Sequence, residues 1–352
     1  MVKLAAKPLP LPAFFHPSSN NDWEYESEHG KLSQEADEWA KKHELRPSST
    51  DAKRVHLLLI DLQKDFVFKK GTLYVGGRSG KGAIEDNRRI AEFIYRNLDS
   101  ISDVTCTLDT HFPFQIFFPS FWQYRDGKPL CPYTVITSAS IRSGDVHPNP
   151  AASAFVCNGN YGWLLTYVQH YCEALEKAGK YQLYLWPYHC MIGSGGHALA
   201  GIIEEARVFH AFCRRAPDLV EVKGGSYLTE NYSVLSPEVL LTHDGRPVGQ
   251  RNVQFIEKLL KSDAVVVAGQ AASHCVKSSI EDLLSSINQQ DPKLVKKVYI
   301  LKDCMSAVAI PDGKGGFVAD FTPQAEEALK KFEDAGMHVV ESSVPMDQWE
   351  GF

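Results

Sequence analysis

Seven short apolar runs punctuate the chain: Val55–Ile60, Val104–Leu108, Gln182–Trp186, Val220–Lys223, Ala264–Ala268, Lys297–Leu301 and His338–Val340. They are rich in β-branched or aromatic residues and short enough to read as strands. Between them, apolar residues recur at helical spacing around Ala83–Leu98, Ala198–Phe212, Arg251–Lys261, Val276–Ile287 and Pro323–Ala335. That spacing predicts amphipathic helices. Strands alternating with helices predict an α/β domain of three layers, α/β/α. Its sheet would be mostly parallel, doubly wound, of about six strands and covered on both faces.

Two stretches break this rhythm. Residues 1–52 are Pro/Ser-rich and then polar, with a short helix expected around Leu32–His43. They read as an N-terminal extension that packs on the body or on a neighbouring subunit, leaving 53–352 as the main domain. The second break, an insertion at about 113–180, is rich in aromatic residues, Pro, Ser and Asn. A structureless loop of that length would be unusual, so it should carry small elements of its own, including a helix near Trp163–Lys177. It reads as an oligomerisation surface, a decorative excursion or a lid over the crevice.

Candidate chemistry gathers where strand runs give out. Val265 to Leu284 reads V-V-V-A-G-Q-A-A-S-H-C-V-K-S-S-I-E-D-L-L, with Cys275 opening the helical spacing of Val276, Ile280, Leu283 and Leu284. A thiol at a helix N-terminus faces unpaired N–H groups and the positive end of the dipole, which favour thiolate. Cys275 is therefore expected to titrate well below the ~8.5 of a free thiol; otherwise it is a small buried hydrophobe. Asp61 closes the run V-H-L-L-L-I-D-L-Q-K-D-F, and Lys223 closes L-V-E-V-K before a Gly pair. In an open parallel sheet the carboxyl ends of strands meet in one crevice, where ligands bind. Sulfur, carboxylate and ammonium together suit covalent amide hydrolysis: Cys275 as nucleophile, Asp61 as base and then acid, Lys223 favouring the thiolate. A buried Asp–Lys pair without catalytic work is the alternative, although such pairs are poor sources of stability.

The order of these residues resembles the isochorismatase-like cysteine hydrolases: I-D-L-Q-K-D-F first, Lys-Gly after a strand, then G-x-A-x-x-H-C. D-T-H (Asp109 to His111) and W-P-Y-H-C-M-I-G-S-G-G (Trp186 to Gly196) resemble the nicotinamidase/pyrazinamidase branch. The resemblance spans roughly 54 to 111 and 181 to 342. It implies the isochorismatase-like hydrolase fold, a Cys275–Asp61–Lys223 triad, and an oxyanion hole from the N–H groups of Ala271 and Cys275. It also implies a cis Gln270–Ala271 bond, and Phe66 and Trp186 flanking a flat substrate ring; otherwise those two are plain core. No organic cofactor is implied, and a homo-oligomer is.

Asp109 and His111 lie two residues apart just past a strand end, so their donors can share one space, and His189 could complete the set from the next strand. Imidazole and carboxylate donors suit zinc, iron or manganese with positions left open. The resemblance implies a divalent metal there that holds a pyridine nitrogen. Where some members supply another histidine, this chain reads F-P-F-Q-I-F-F, so a fourth protein ligand is absent. Both histidines could instead be hydrogen-bonded wall residues. Tyr232 and Ser233 resemble a Tyr-Ser pair of the family but receive no role, and Cys190 and Cys304 read as packing.

The expected reaction is hydrolysis of a small carboxamide of the nicotinamide type to acid and ammonia through a thioester. Alternatives are a metal-independent amidohydrolase for an N-carbamoyl, ureido or aliphatic amide, vinyl-ether hydrolysis, or a non-catalytic relative using the fold for interaction. Composition narrows little further. With 44% hydrophobic and 23% charged residues and a net charge of −6, the chain is ordinary for a globular protein and offers nucleic acid no basic surface. No run approaches the length of a membrane helix, and the Pro-broken N-terminus lacks a signal-peptide core. Eight cysteines without a C-x-x-C argue against a disulfide framework or zinc ribbon. A small-molecule partner and a reducing, cytoplasmic location are expected.

Overall fold

The strand β1 (Val55–Ile60) is buried at every position, as its almost wholly apolar sequence, interrupted only by His56, suits a strand covered on both faces. The computed structural model describes residues 8–179 and 181–352; the reading of the first seven residues as free of a signal core lies outside them. Around β1 stand β2 (Asp103–Asp109), β3 (Asp218–Lys223), β4 (Ala264–Gly269), β5 (Val298–Leu301) and β6 (His338–Val340). All neighbours pair in parallel, in the order β6-β5-β4-β1-β2-β3. The chain winds outward from β1 in one direction through β3, then returns to build the other half. Strand order therefore reverses between β1 and β4, where an open sheet forms a crevice.

The helices α1 (His29–Lys42), α2 (Gly82–Arg96), α3 (Tyr161–Ala178), α4 (Gly201–Arg214), α5 (Val253–Lys261), α6 (Cys275–Gln290) and α7 (Thr322–Asp334) match the predicted segments to within a few residues. α2 and α4 pack together on one face, while α5, α6 and α7 occupy the other, completing the three layers. Among the described residues no helix is long and apolar enough to cross a membrane.

The run Gln182–Trp186 departs from expectation. It contributes no strand to the main sheet; only Leu183–Tyr184 is extended, antiparallel to Val135–Ile136. Its alternation of buried Leu183 and Leu185 with half-buried Tyr184 suits a strand with one covered face. Such a pattern specifies extended backbone but not the partner. The insertion carries a second small sheet, Trp122–Tyr124 with Val146–Pro148, besides α3.

The N-terminal extension packs on the chain's own body. Phe14 and Phe15 set their rings against Tyr95, and Phe14 also meets Phe209, with centroids 5.0–6.0 Å apart. α1 buries Leu32 and Ala36 beside α4. Arg214, almost wholly buried, donates to Arg46 O at 2.7 Å and pairs with Asp51 at 2.5 Å, fastening the end of the extension to α4.

Candidate active site

The ends of β4, β1, β2 and β3 lie side by side, and each delivers one reactive group. Asp61 follows β1 with φ +49°, a left-handed conformation uncommon for a non-glycine residue. Thr107 on β2 holds it there: its Oγ1 accepts from Asp61 N at 3.0 Å and donates to the Asp61 carboxylate. Lys223 ends β3, where it is the register partner of Asp109. Its ammonium lies 2.9 Å from Asp61 Oδ2, 2.9 Å from Asp109 Oδ1 and 3.6 Å from Cys275 Sγ, and donates to Asn231 O at 3.0 Å. One buried cation thus serves two carboxylates and the sulfur. Cys275 is the first residue of α6.

The turn before Cys275 contains the cis Gln270–Ala271 bond. Asp86 on α2 supports it, accepting from Gln270 Nε2 at 2.9 Å and from Ser306 Oγ at 2.6 Å. Among the described residues the N–H groups of Ala271 and Cys275 donate to no protein acceptor. Two free donors beside a sulfur at a helix start can receive an oxyanion.

Charge balance runs against the expected thiolate. Burial pushes the Cys275 thiol well above its ordinary value; Lys223 opposes this, but Asp61 and Asp109 add to it. Without a metal the cluster holds one ammonium and two carboxyl groups, so nothing remains to hold a thiolate. Burial likewise raises Asp61, against the pull of Lys223. A carboxyl so raised can both take and return a proton.

Asp109 divides its oxygens. Oδ1 faces Lys223, while Oδ2 lies 2.8 Å from His111 Nε2 and 3.5 Å from His189 Nε2. Burial would raise this carboxyl, but His111 and Lys223 outweigh it and hold Asp109 well below the usual range. The ligand atoms of Asp109, His111 and His189 fall within 4.8 Å of one another, all buried. His189 Nδ1 lies 2.8 Å from Pro187 O, a contact that leaves Nε2 free to ligate. These three donors fit a divalent transition metal. His189 comes from a loop and not, as expected, from a strand. That loop is positioned by Asp65, whose Oδ2 accepts from Cys190 N at 2.7 Å. Gln63 grips the Asp109 backbone from both sides, accepting from its N at 2.7 Å and donating to its O at 2.8 Å. The polar residues of I-D-L-Q-K-D-F therefore hold the other segments in place.

The second half of the F-P-F-Q-I-F-F stretch, Gln115 to Phe118, is buried. Phe117 and Phe118 pack their rings 4.8 and 5.5 Å from His111, so aromatic rings flank that histidine. Gly224 allows a close approach to the donor set: at φ +84° a Cβ there would sit 2.7 Å from Asp109 Oδ1.

Above Cys275 is a thin cavity of about 30 Å3, walled by Phe66, Trp186, His189, Tyr232 and Ala271 among others. Every predicted site residue lines this slot or bonds to a residue that does. Among its polar walls, Glu230 and His274 were not singled out from the sequence, and Tyr232 was noted without a role. Glu230 is buried with its carboxyl pushed well up by burial and by Asp109. Nothing local distinguishes it from a surface Glu in the polar run T-E-N. Tyr232 accepts from Trp186 Nε1 at 2.8 Å, and His274, beside the cysteine in the quoted motif, meets the Trp186 ring at 5.3 Å. Cys190 and Cys304 are buried, as packing residues should be.

Solved structures similar to this chain include three amidases. The yeast nicotinamidase Pnc1p is 19% identical over 82% of this chain and 99% of its own, with a TM-score of 0.49. A nicotinamidase/pyrazinamidase of Acinetobacter baumanii is 16% identical over 84% and 98%, at 0.48. The pyrazinamidase of Pyrococcus horikoshii, in complex with zinc, is 16% identical over 82% and 98%, at 0.43. No family model matches the chain, and no curated protein does.

Proposed function

We propose that this protein hydrolyses a small flat carboxamide of the nicotinamide type to the carboxylic acid and ammonia, using Cys275, Asp61 and Lys223. The reading rests on one observation above all: the Lys223 ammonium touches both Asp61 and Cys275 at the floor of a slot beside two free N–H groups. With the resting thiol protonated, attack and deprotonation are coupled. Cys275 Sγ bonds to the amide carbon as its proton passes to Asp61. The oxygen gains the π electrons and is received by the N–H groups of Ala271 and Cys275. Asp61 returns the proton to nitrogen, the C–N bond breaks, and ammonia leaves a thioester. Water then attacks the thioester, giving its proton to Asp61; the C–S bond breaks and the sulfur recovers that proton. Throughout, Lys223 holds Asp61 in place and limits the charge on the sulfur.

Asp109, His111 and His189 would hold the metal. When bound, it supplies a Lewis-acid contact for a ring nitrogen of the substrate and fixes the ring's orientation. Phe66 and Trp186 offer aromatic walls to that ring.

Ammonia release from nicotinamide by purified protein, and its loss in Cys275→Ala with the fold intact, tests the reading. Turnover surviving that substitution would overturn it. Full activity after chelation on a non-aromatic amide would instead favour the metal-independent amidohydrolase, whose motive is the long insertion and the missing histidine as fourth ligand. We place the protein in a reducing, cytoplasmic setting, a reading supported by its eight unpaired cysteines.

A further inference from the structure

A second cavity adjoins the slot. It measures about 340 Å3, roughly ten times the slot, and shares the rings of Tyr232 and His274 with it as common walls. Tyr181, Tyr184 and Phe321 complete an aromatic lining. His274 is one of the two shared rings, its centroid 5.3 Å from Tyr232 and 4.8 Å from Phe321. Beyond the aromatic rings the lining is hydroxyl, amide and one ammonium, Lys277; no carboxylate lines it among the described residues.

Lys277 is electrostatically misplaced for folding. It lies in the first turn of α6, where a cation opposes the helix dipole. No ion pair among the described residues offsets it. A lysine there, half-buried and unpaired at the edge of an aromatic chamber, suits an incoming anion better than it suits the helix. The adjoining chamber, far roomier than the slot, has space for a further ring or chain.

We propose that this chamber seats the distal, anionic end of an elongated substrate: an aromatic carboxamide bearing a carboxylate-ended substituent, with Lys277 as its counter-charge. The inference rests on the amidase reading above and narrows its substrate class. Val135 from the insertion, with Tyr181, Gln182 and Tyr184 just after it, lines the chamber outside the main sheet.

The test compares three primary amides: nicotinamide, a pyridine carboxamide carrying a carboxymethoxy chain, and the methyl ester of that compound. The charged amide should be preferred over its ester, and Lys277→Ala should lower kcat/KM for the charged amide about tenfold relative to nicotinamide, a change worth about 1.4 kcal/mol. Calorimetry with the corresponding charged acid and Cys275→Ala protein provides a readout that needs no turnover; binding should weaken when Lys277→Ala is added. If nicotinamide is turned over but the charged-to-neutral ratio ignores Lys277, the chamber proposal falls and the amidase reading stands. If no amide is turned over while the acid binds in a Lys277-dependent way, the amidase reading falls instead. Neither turnover nor binding removes both.

Discussion

Asp109 and Lys223 are register partners on β2 and β3, and their side chains meet at 2.9 Å. Through this contact the thiol–carboxylate pair and the metal-type donor set share one cation. A change in either half alters the charge felt by the other.

Removing that cation should be severe. In Lys223→Met two buried carboxylates lose their common partner, and breaking a buried pair costs about 3–5 kcal/mol. The urea midpoint should fall accordingly, with ammonia release lost. Adding Asp109→Asn removes one stranded carboxylate and should restore part of the stability. A double variant no more stable than Lys223→Met would show that the two carboxylates do not compete for Lys223.

The Cys275 thiol should react as a weak acid in metal-free protein. Burial raises it, and the ammonium is already shared between Asp61 and Asp109. Its alkylation rate, followed by mass spectrometry of the Cys275 peptide, should still be rising at pH values where an ordinary thiol of pKa ~8.5 has levelled. A plateau near neutrality would contradict the charge balance described here.

Acid should destabilise the fold through two buried histidines. Burial pushes His56 and His210 down to about 4. Both are neutral in the folded and unfolded chain above an unfolded value of ~6.5. Between 6.5 and 4 only the unfolded chain takes the proton, so stability falls as pH falls. The loss reaches about 2 kcal/mol per histidine by pH 5 and levels off below the folded value. Denaturation curves at pH 7.5 and 5.0 for the native protein and His210→Gln check this. The variant should lose about 2 kcal/mol less across that interval.

Metal retention should depend on Gly224. A methyl group there would press on Asp109 Oδ1 and on His111, at a φ that disfavours side chains. In Gly224→Ala, zinc affinity after dialysis should drop about 10- to 100-fold, as for other disturbed ligand supports. Retention equal to the native protein would mean that Asp109 does not ligate.

Much of the site could be read locally. Asp61, Lys223 and Cys275 each sit where an apolar strand run ends, and strand length and helix onset are matters of periodicity within a few residues. Parallel winding then brings such ends together, because adjacent strands in one sheet share a direction. Cys275 could be placed at the first residue of α6 for the same reason.

What periodicity leaves open is the choice of partner. Leu183–Tyr184 has a strand's alternation, yet it pairs with Val135–Ile136 instead of joining the main sheet. Glu230 reads as surface and is buried against the slot, because a polar run shows no trace of what folds over it. The thiol's direction depended most on three dimensions: helix position argued for a lowered value, and burial beside Asp61 and Asp109 reversed it. Local backbone preference acts over a few residues and is written in order along the chain; charge balance and desolvation sum over everything within several ångströms, whatever its place in the sequence.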